Sequence, residues 1–346
     1  MKTFVVLINC TILLAFTVIA LGAYTRLTDA GLGCPDWPGC YGKLTAPLHD
    51  GHVAEAQQKF PDATIEPHKA HNEMMHRYIA GLLGLCVLAI TLFCFWLKQY
   101  RIFGVVILLL VMFQAALGMW TVTLNLLPLV VLAHLLGGFT LLSLLVLLRT
   151  EVASQKTALA MELVLGNLLP LGYFALLVLF IQISLGGWTS SNYAATVCYQ
   201  LPFCESGWQE RFSLQAAFSM PLGHDTYEFG VLSYEERMSI HVLHRMGAIF
   251  TFFVLGIFVL LCWLRASSKT MRSMALAIGT LLLLQLTLGL INIIAQLPLL
   301  NAVAHNLVAA NLLVMLVVFI RQIQLRNTAL HKVHRPLIEK ERPIIS

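Results

Sequence analysis

A chain of 346 residues that is 58% hydrophobic and 11% charged, with a mean hydropathy of +0.80, carries more apolar surface than a soluble interior can hide, since soluble domains hold about 25% charged residues. The composition excludes a soluble globular protein and predicts a polytopic membrane protein bathed in lipid. A net charge of +5, with no basic patch interleaved with aromatics, excludes a nucleic-acid surface.

In chain order, apolar runs occupy 4–24, 72–97, 102–124, 130–148, 165–188, 239–264, 274–295 and 301–320. Each is near the ~20 residues that a spanning helix needs. The first follows Lys2, as a signal peptide would. It is longer than the ~7–15 residues of a signal-peptide apolar core, so a retained helix is expected. Orientation follows from the basic residues. Lys98 and Arg101, Arg149 and Lys156, Arg265, Lys269 and Arg272, and the segment after Arg321 mark one side, whereas the short links 125–129 and 296–300 hold none. The positive-inside pattern then puts both termini in the cytoplasm and the long loops 25–70 and 189–237 outside.

The chain repeats itself. Gly22-Ala23-Tyr24-Thr25, Cys34 and Cys40 match Gly186-Gly187-Trp188-Thr189, Cys198 and Cys204 at an offset of 164. His76-Arg77 matches His244-Arg245 at 168, and Gln114, Gly118 and His134 match Gln285, Gly289 and His305 at 171. Pro128 and Pro298 match at 170, so a small indel lies nearby. The expected fold is all-α, with eight transmembrane helices arranged as two pseudo-symmetric four-helix bundles in a parallel internal repeat. The expected units are 1–150, 165–325 and a cytoplasmic tail, 326–346.

His76, His134, His244 and His305 each lie early in the second or fourth helix of a half. Those helices are diagonal partners in an up-down-up-down bundle, so each half can face two imidazoles across its core. Ionisable groups at this depth are costly and mark function. Bis-histidine heme ligation explains two register-matched pairs better than four unrelated core histidines, and two side chains are too few for a structural zinc. Gly81, Gly84, Gly118, Gly137, Gly138, Gly247 and Gly289 either make room for a flat macrocycle or serve ordinary close helix packing. Arg77 and Arg245 follow the ligand candidates and suit either heme propionates or a snorkelling position at the interface.

The halves differ one turn before the second-helix histidine, with Glu73 in the first and His241 in the second. Glu73 shares a helix face with His76. It is a candidate base or charge stabiliser beside a heme, or else the partner of Arg77 or Lys69. His71 is a further candidate nearer the headgroups. Cys10, Cys86, Cys94 and Cys262 read as packing residues. In the external loops, six-residue spacing beside Pro and Gly permits the disulfides Cys34–Cys40 and Cys198–Cys204, as staples or as redox groups.

The run Gly22-Ala-Tyr-Thr-Arg-Leu-Thr-Asp-Ala-Gly-Leu-Gly33, the block His71-Asn-Glu-Met-Met-His-Arg77, and His134, His244 and His305 together resemble the heme A synthase family of bacteria, over residues 1–325. The resemblance implies two four-helix bundles and oxidation of a methyl group of heme O to the formyl group of heme A, for cytochrome oxidase. It implies a heme b cofactor at His244 and His305, substrate heme at His76 and His134, and an essential glutamate at Glu73. It also implies a multi-pass protein of the bacterial inner membrane, with a heme O synthase and oxidase assembly factors as partners and with oligomers possible. A di-heme cytochrome b explains the histidines but not Glu73. A quinone-linked thiol oxidoreductase explains the cysteines but not the histidines. A transporter would need broken helices and midplane charges that are absent from the pattern.

Overall fold

The computed structural model describes residues 1–154 and 161–340, with side chains through Asn327. Lys156 and the tail side chains beyond Asn327 lie outside the described residues. Among the described residues, eight helices are long and apolar enough to cross a membrane: α1 (Lys2–Leu27), α2 (Pro67–Trp96), α3 (Arg101–Thr123), α4 (Pro128–Ser154), α5 (Leu169–Ser191), α6 (Tyr234–Arg265), α7 (Lys269–Ile294) and α8 (Leu299–Lys340). No strand is present among the described residues, as lipid requires of a protein that is not a closed barrel.

Several helices outrun their apolar stretches. α2 starts at Pro67, whose fixed φ suits a first helical turn and whose missing N–H costs nothing there. α6 starts at Tyr234 because Ser233 and Glu236 form a reciprocal capping box. In both, a polar first turn carries the helix beyond the membrane-facing stretch. α8 likewise continues through the expected tail to Lys340.

Contacts define two squares. In the first half α1 packs on α2, α2 on α3, α3 on α4 and α4 on α1. In the second, α5 packs on α6, α6 on α7, α7 on α8 and α8 on α5. Thus α2 and α4 are diagonal, as are α6 and α8. The squares join along α4 with α5, α4 with α8 and α1 with α8. A single buried apolar core, including Phe4, Leu145, Leu148, Phe258 and Phe319, runs through both. At one end of the seam Arg321 of α8 pairs with Glu151 of α4.

Each long loop folds back on the helix that follows it. In the first, the Cys34–Cys40 disulfide packs with Tyr41, Ala70 and Met74. In the second, Cys198–Cys204 packs with Met238 and Val242. Gly33 permits the first docking, because a Cβ there would stand 2.6 Å from the Lys69 carbonyl carbon of α2. The second loop also reaches the first half, where the Tyr227 amide donates to the Asn125 carbonyl at 3.0 Å.

Candidate heme sites

The diagonal helices bring the histidines together as the spacing requires. His76 and His134 have ring centres 6.5 Å apart with planes crossing at 83°. Two imidazoles bonded at about 2 Å to one metal between them would have centres about 6 Å apart, so the pair fits a bis-ligated iron. His76, His134 and His305 are each turned toward a backbone carbonyl one turn before the facing glycine, that of Val18, Gln114 and Gln285 respectively, an arrangement that would orient a ligating imidazole. His244 and His305 border the same cavity as the first pair. That cavity holds about 1730 Å³ and is lined mainly by apolar side chains. Single small-molecule sites run about 300–1,000 Å³, so there is room for two flat macrocycles.

Every ring rests against a glycine of a neighbouring helix. A Cβ on Gly22 would stand 3.0 Å from His76 Cε1, and one on Gly186 3.0 Å from His244 Cε1. On Gly118 it would stand 3.5 Å from His134 Cε1, and on Gly289 3.2 Å from His305 Cε1. These four glycines therefore seat the imidazoles. Three of them have a glutamine one turn earlier. Gln182 Nε2 lies 3.0 Å from His244 Nδ1 and donates to the His244 carbonyl at 3.0 Å. Gln285 Nε2 lies 3.1 Å from His305 Nε2. Gln114 is buried beside the cavity with its amide nitrogen unpartnered. The fourth glutamine position is Val18, so His76 has no such side chain beside it. Sequence reasoning passed over Gln182, because the repeat places it opposite a valine.

Glu73 is 4% exposed and lines the cavity. Its Oε2 accepts the Cys34 amide at 2.8 Å, and its Oε1 accepts from Arg77 one turn later. The carboxylate is therefore held by both the helix and the disulfide loop, with both oxygens engaged. His241 stands at the corresponding place in the second half, buried, with Nδ1 unpartnered. Arg77 donates to the carbonyls of Asp36 (2.9 Å) and Gly39. Arg245 donates to those of Cys198, Gln200 (2.7 Å) and Phe203. Both arginines border the cavity, yet most of their N–H groups go to roofing each bundle with its disulfide loop, while Arg77 also donates to Glu73 and Arg245 Nε is left without a partner. That role has no sequence signature, because carbonyl acceptors belong to every residue. His71 is exposed and outside the cavity wall.

The four loop sulfurs belong to buried residues, between 0% and 7% exposed, which suits staples better than thiols that must meet a partner. Cys198, Cys204 and Glu205 lie close enough to suggest a metal cluster, but both sulfurs are spent in the disulfide. Of the unpaired cysteines, Cys94 and Cys262 are buried, while Cys10 is exposed at the helix surface.

The chain is similar to known proteins over nearly its whole length. A family model described as cytochrome oxidase assembly protein, COX15-CtaA, matches residues 5–317. The heme A synthase of Shewanella oneidensis is 49% identical over 316 residues, covering 90% of this chain and 94% of that protein. Those of Mesorhizobium japonicum and Erythrobacter litoralis are 27% and 24% identical, over 85% and 87% of this chain and 83% and 91% of theirs.

Proposed function

Because the chain belongs to the COX15-CtaA family of cytochrome oxidase assembly proteins and to the heme A synthases, we propose that it oxidises a methyl group of heme O, through hydroxylated intermediates, to the formyl group of heme A. In this reading residues 1–150 bind the substrate and 165–325 bind a heme b cofactor. The observation that carries it is the pairing of likeness with difference. Two diagonal histidine pairs share one cavity, and among the described residues the carboxylates that line it, buried Glu73 and the more exposed Asp29, both belong to the first half.

His76 and His134 hold the substrate iron, which fixes the ring edge relative to Glu73. Glu73 takes a proton from the reacting carbon or stabilises positive charge developing near it. Its place beneath the loop roof keeps bulk water from the carboxylate. His244 and His305 would hold the heme b, which would relay electrons one at a time toward an acceptor outside the chain, while the added oxygen atom enters from water or dioxygen. Arg77 and Arg245 close the outer ends of the two sites through their loops. The protein is expected in the bacterial inner membrane with both termini cytoplasmic. It receives heme O from a heme O synthase and supplies an oxidase under assembly.

Membranes making the protein beside a heme O source test the reading, by heme extraction and chromatography. Wild type is expected to yield heme A. Glu73→Gln is expected to retain heme b and lose heme A by about 10²-fold or more, the usual scale for a general base. Unconverted heme O with wild type, under conditions where another synthase works, would leave a di-heme electron carrier as the better account.

A further inference from the structure

The two bundles differ where their cavities meet the lipid. In the register that aligns His76 with His244, Gly81 and Gly84 of α2 correspond to Ile249 and Phe252 of α6. In the register that aligns His134 with His305, Ala115 of α3 corresponds to Leu286 of α7. All six residues line the cavity. A Cβ at Gly81 or Gly84 would meet nothing within 4 Å, so these glycines do not serve close helix packing. Three bulky side chains in the second half are thus replaced by open space in the first.

The consequence shows on the outer surface. Leu82, Leu85 and Met112 are 52%, 64% and 61% exposed on the lipid-facing side. Their counterparts Phe250, Phe253 and Leu283 are 54%, 59% and 58% exposed. The two surfaces are therefore equally bare, yet only Leu82, Leu85 and Met112 also line the cavity. In the second half the cavity stops short of the corresponding residues. Gln114, buried with an unpartnered amide, faces the space behind the opening.

We propose that the first bundle exchanges its heme sideways with the membrane, through a portal between α2 and α3 left open by Gly81, Gly84 and Ala115, and that Ile249, Phe252 and Leu286 shut the corresponding gap in the second bundle. The inference rests on the heme reading above. A lipophilic macrocycle then reaches His76 and His134 without crossing water, and the heme in the second bundle stays in place through turnover. The doorway is lined by leucine and methionine side chains, which can swing aside at little cost in packing.

The test uses full-length protein in lipid nanodiscs carrying its resident heme, with iron protoporphyrin IX added as the probe. Wild type is expected to take up a second equivalent, read at the Soret band, while the first remains. In the closed variant Gly81→Ile/Gly84→Phe/Ala115→Leu, uptake slows by about tenfold or more, a barrier change of about 1.4 kcal/mol, and resident heme is unchanged, which also shows the variant is folded. In the reciprocal variant Ile249→Gly/Phe252→Gly/Leu286→Ala, resident heme exchanges with ⁵⁷Fe-labelled probe about tenfold faster than in wild type. Uptake at the wild-type rate in the closed variant overturns the portal and leaves the heme reading standing. So does complete loss of binding there without faster exchange in the reciprocal variant, because the gap would then be part of the seat. If wild type takes up no second equivalent, the first site does not hold heme, and the reading beneath the portal falls with it.

Discussion

At the scale of single residues, the histidines and Glu73 are legible because a repeat makes them so. One histidine in a helix says little, whereas four in matched register all border one cavity in the structure, and the glutamate shows as a departure from that register. Gln182 is hidden for the converse reason. Its counterpart is Val18, so a search for shared residues misses it, although it is the side chain that grips His244. Groups that orient a metal-bound histidine typically contribute 10–100-fold to affinity. Gln182→Leu is therefore expected to lower heme b retention by about that factor, measured as heme per protein after detergent washing. Val18→Gln should slow heme release from the first bundle while leaving the second as it was, and an unchanged release rate would show that the valine has no part in exchange.

At the scale of elements, hydropathy finds the eight spans, because lipid forces long apolar helices on any chain that crosses it. It misses the helix starts, which are set by polar capping groups that a hydropathy scale reads as loop. Ser233 is such a group, and Ser233→Ala is expected to cost about 1 kcal/mol, seen as a lower midpoint of thermal unfolding. The external loops were legible only as cysteine pairs. Their docking depends on backbone carbonyls and on the closeness that Gly33 allows, neither of which leaves a pattern in sequence. Glu228, in the second loop, has its carboxyl pushed above the usual range, mainly by burial and further by Asp29 and Glu66, against the opposing pull of Lys69. Its ionised form is thus disfavoured in the fold. The cost is absent below the unfolded pKa of about 4 and is felt once pH rises above the raised folded value. Glu228→Gln should accordingly raise the thermal midpoint at neutral and alkaline pH, with the gain vanishing in acid. An equal gain at every pH would place the effect in packing instead.

At the scale of the whole molecule, the two halves are one body rather than two beads. Their apolar core is continuous, and four of the eight helices lie along the seam. A cavity of about 1730 Å³ inside that body leaves its lining short of contacts when nothing fills it. Heme-free protein is therefore expected to melt lower than heme-loaded protein, and added heme should restore about 2.7 kcal/mol when it stands at a hundred times its dissociation constant. Differential scanning calorimetry on both forms checks this, and equal midpoints would mean that the cavity is filled by lipid in either state. The seam has one more consequence. His134 rides on α4 and His305 on α8, and these two helices touch. Were each histidine pair to hold heme, its iron would lie inside its own bundle, so the interval between the two irons would span both of these helices and be set by how closely they pack. Electron tunnelling falls off exponentially with distance, so that packing would act as a spacer whose gauge governs speed. A bulkier side chain between the two helices would then slow communication between the two sites without altering a candidate ligand of either.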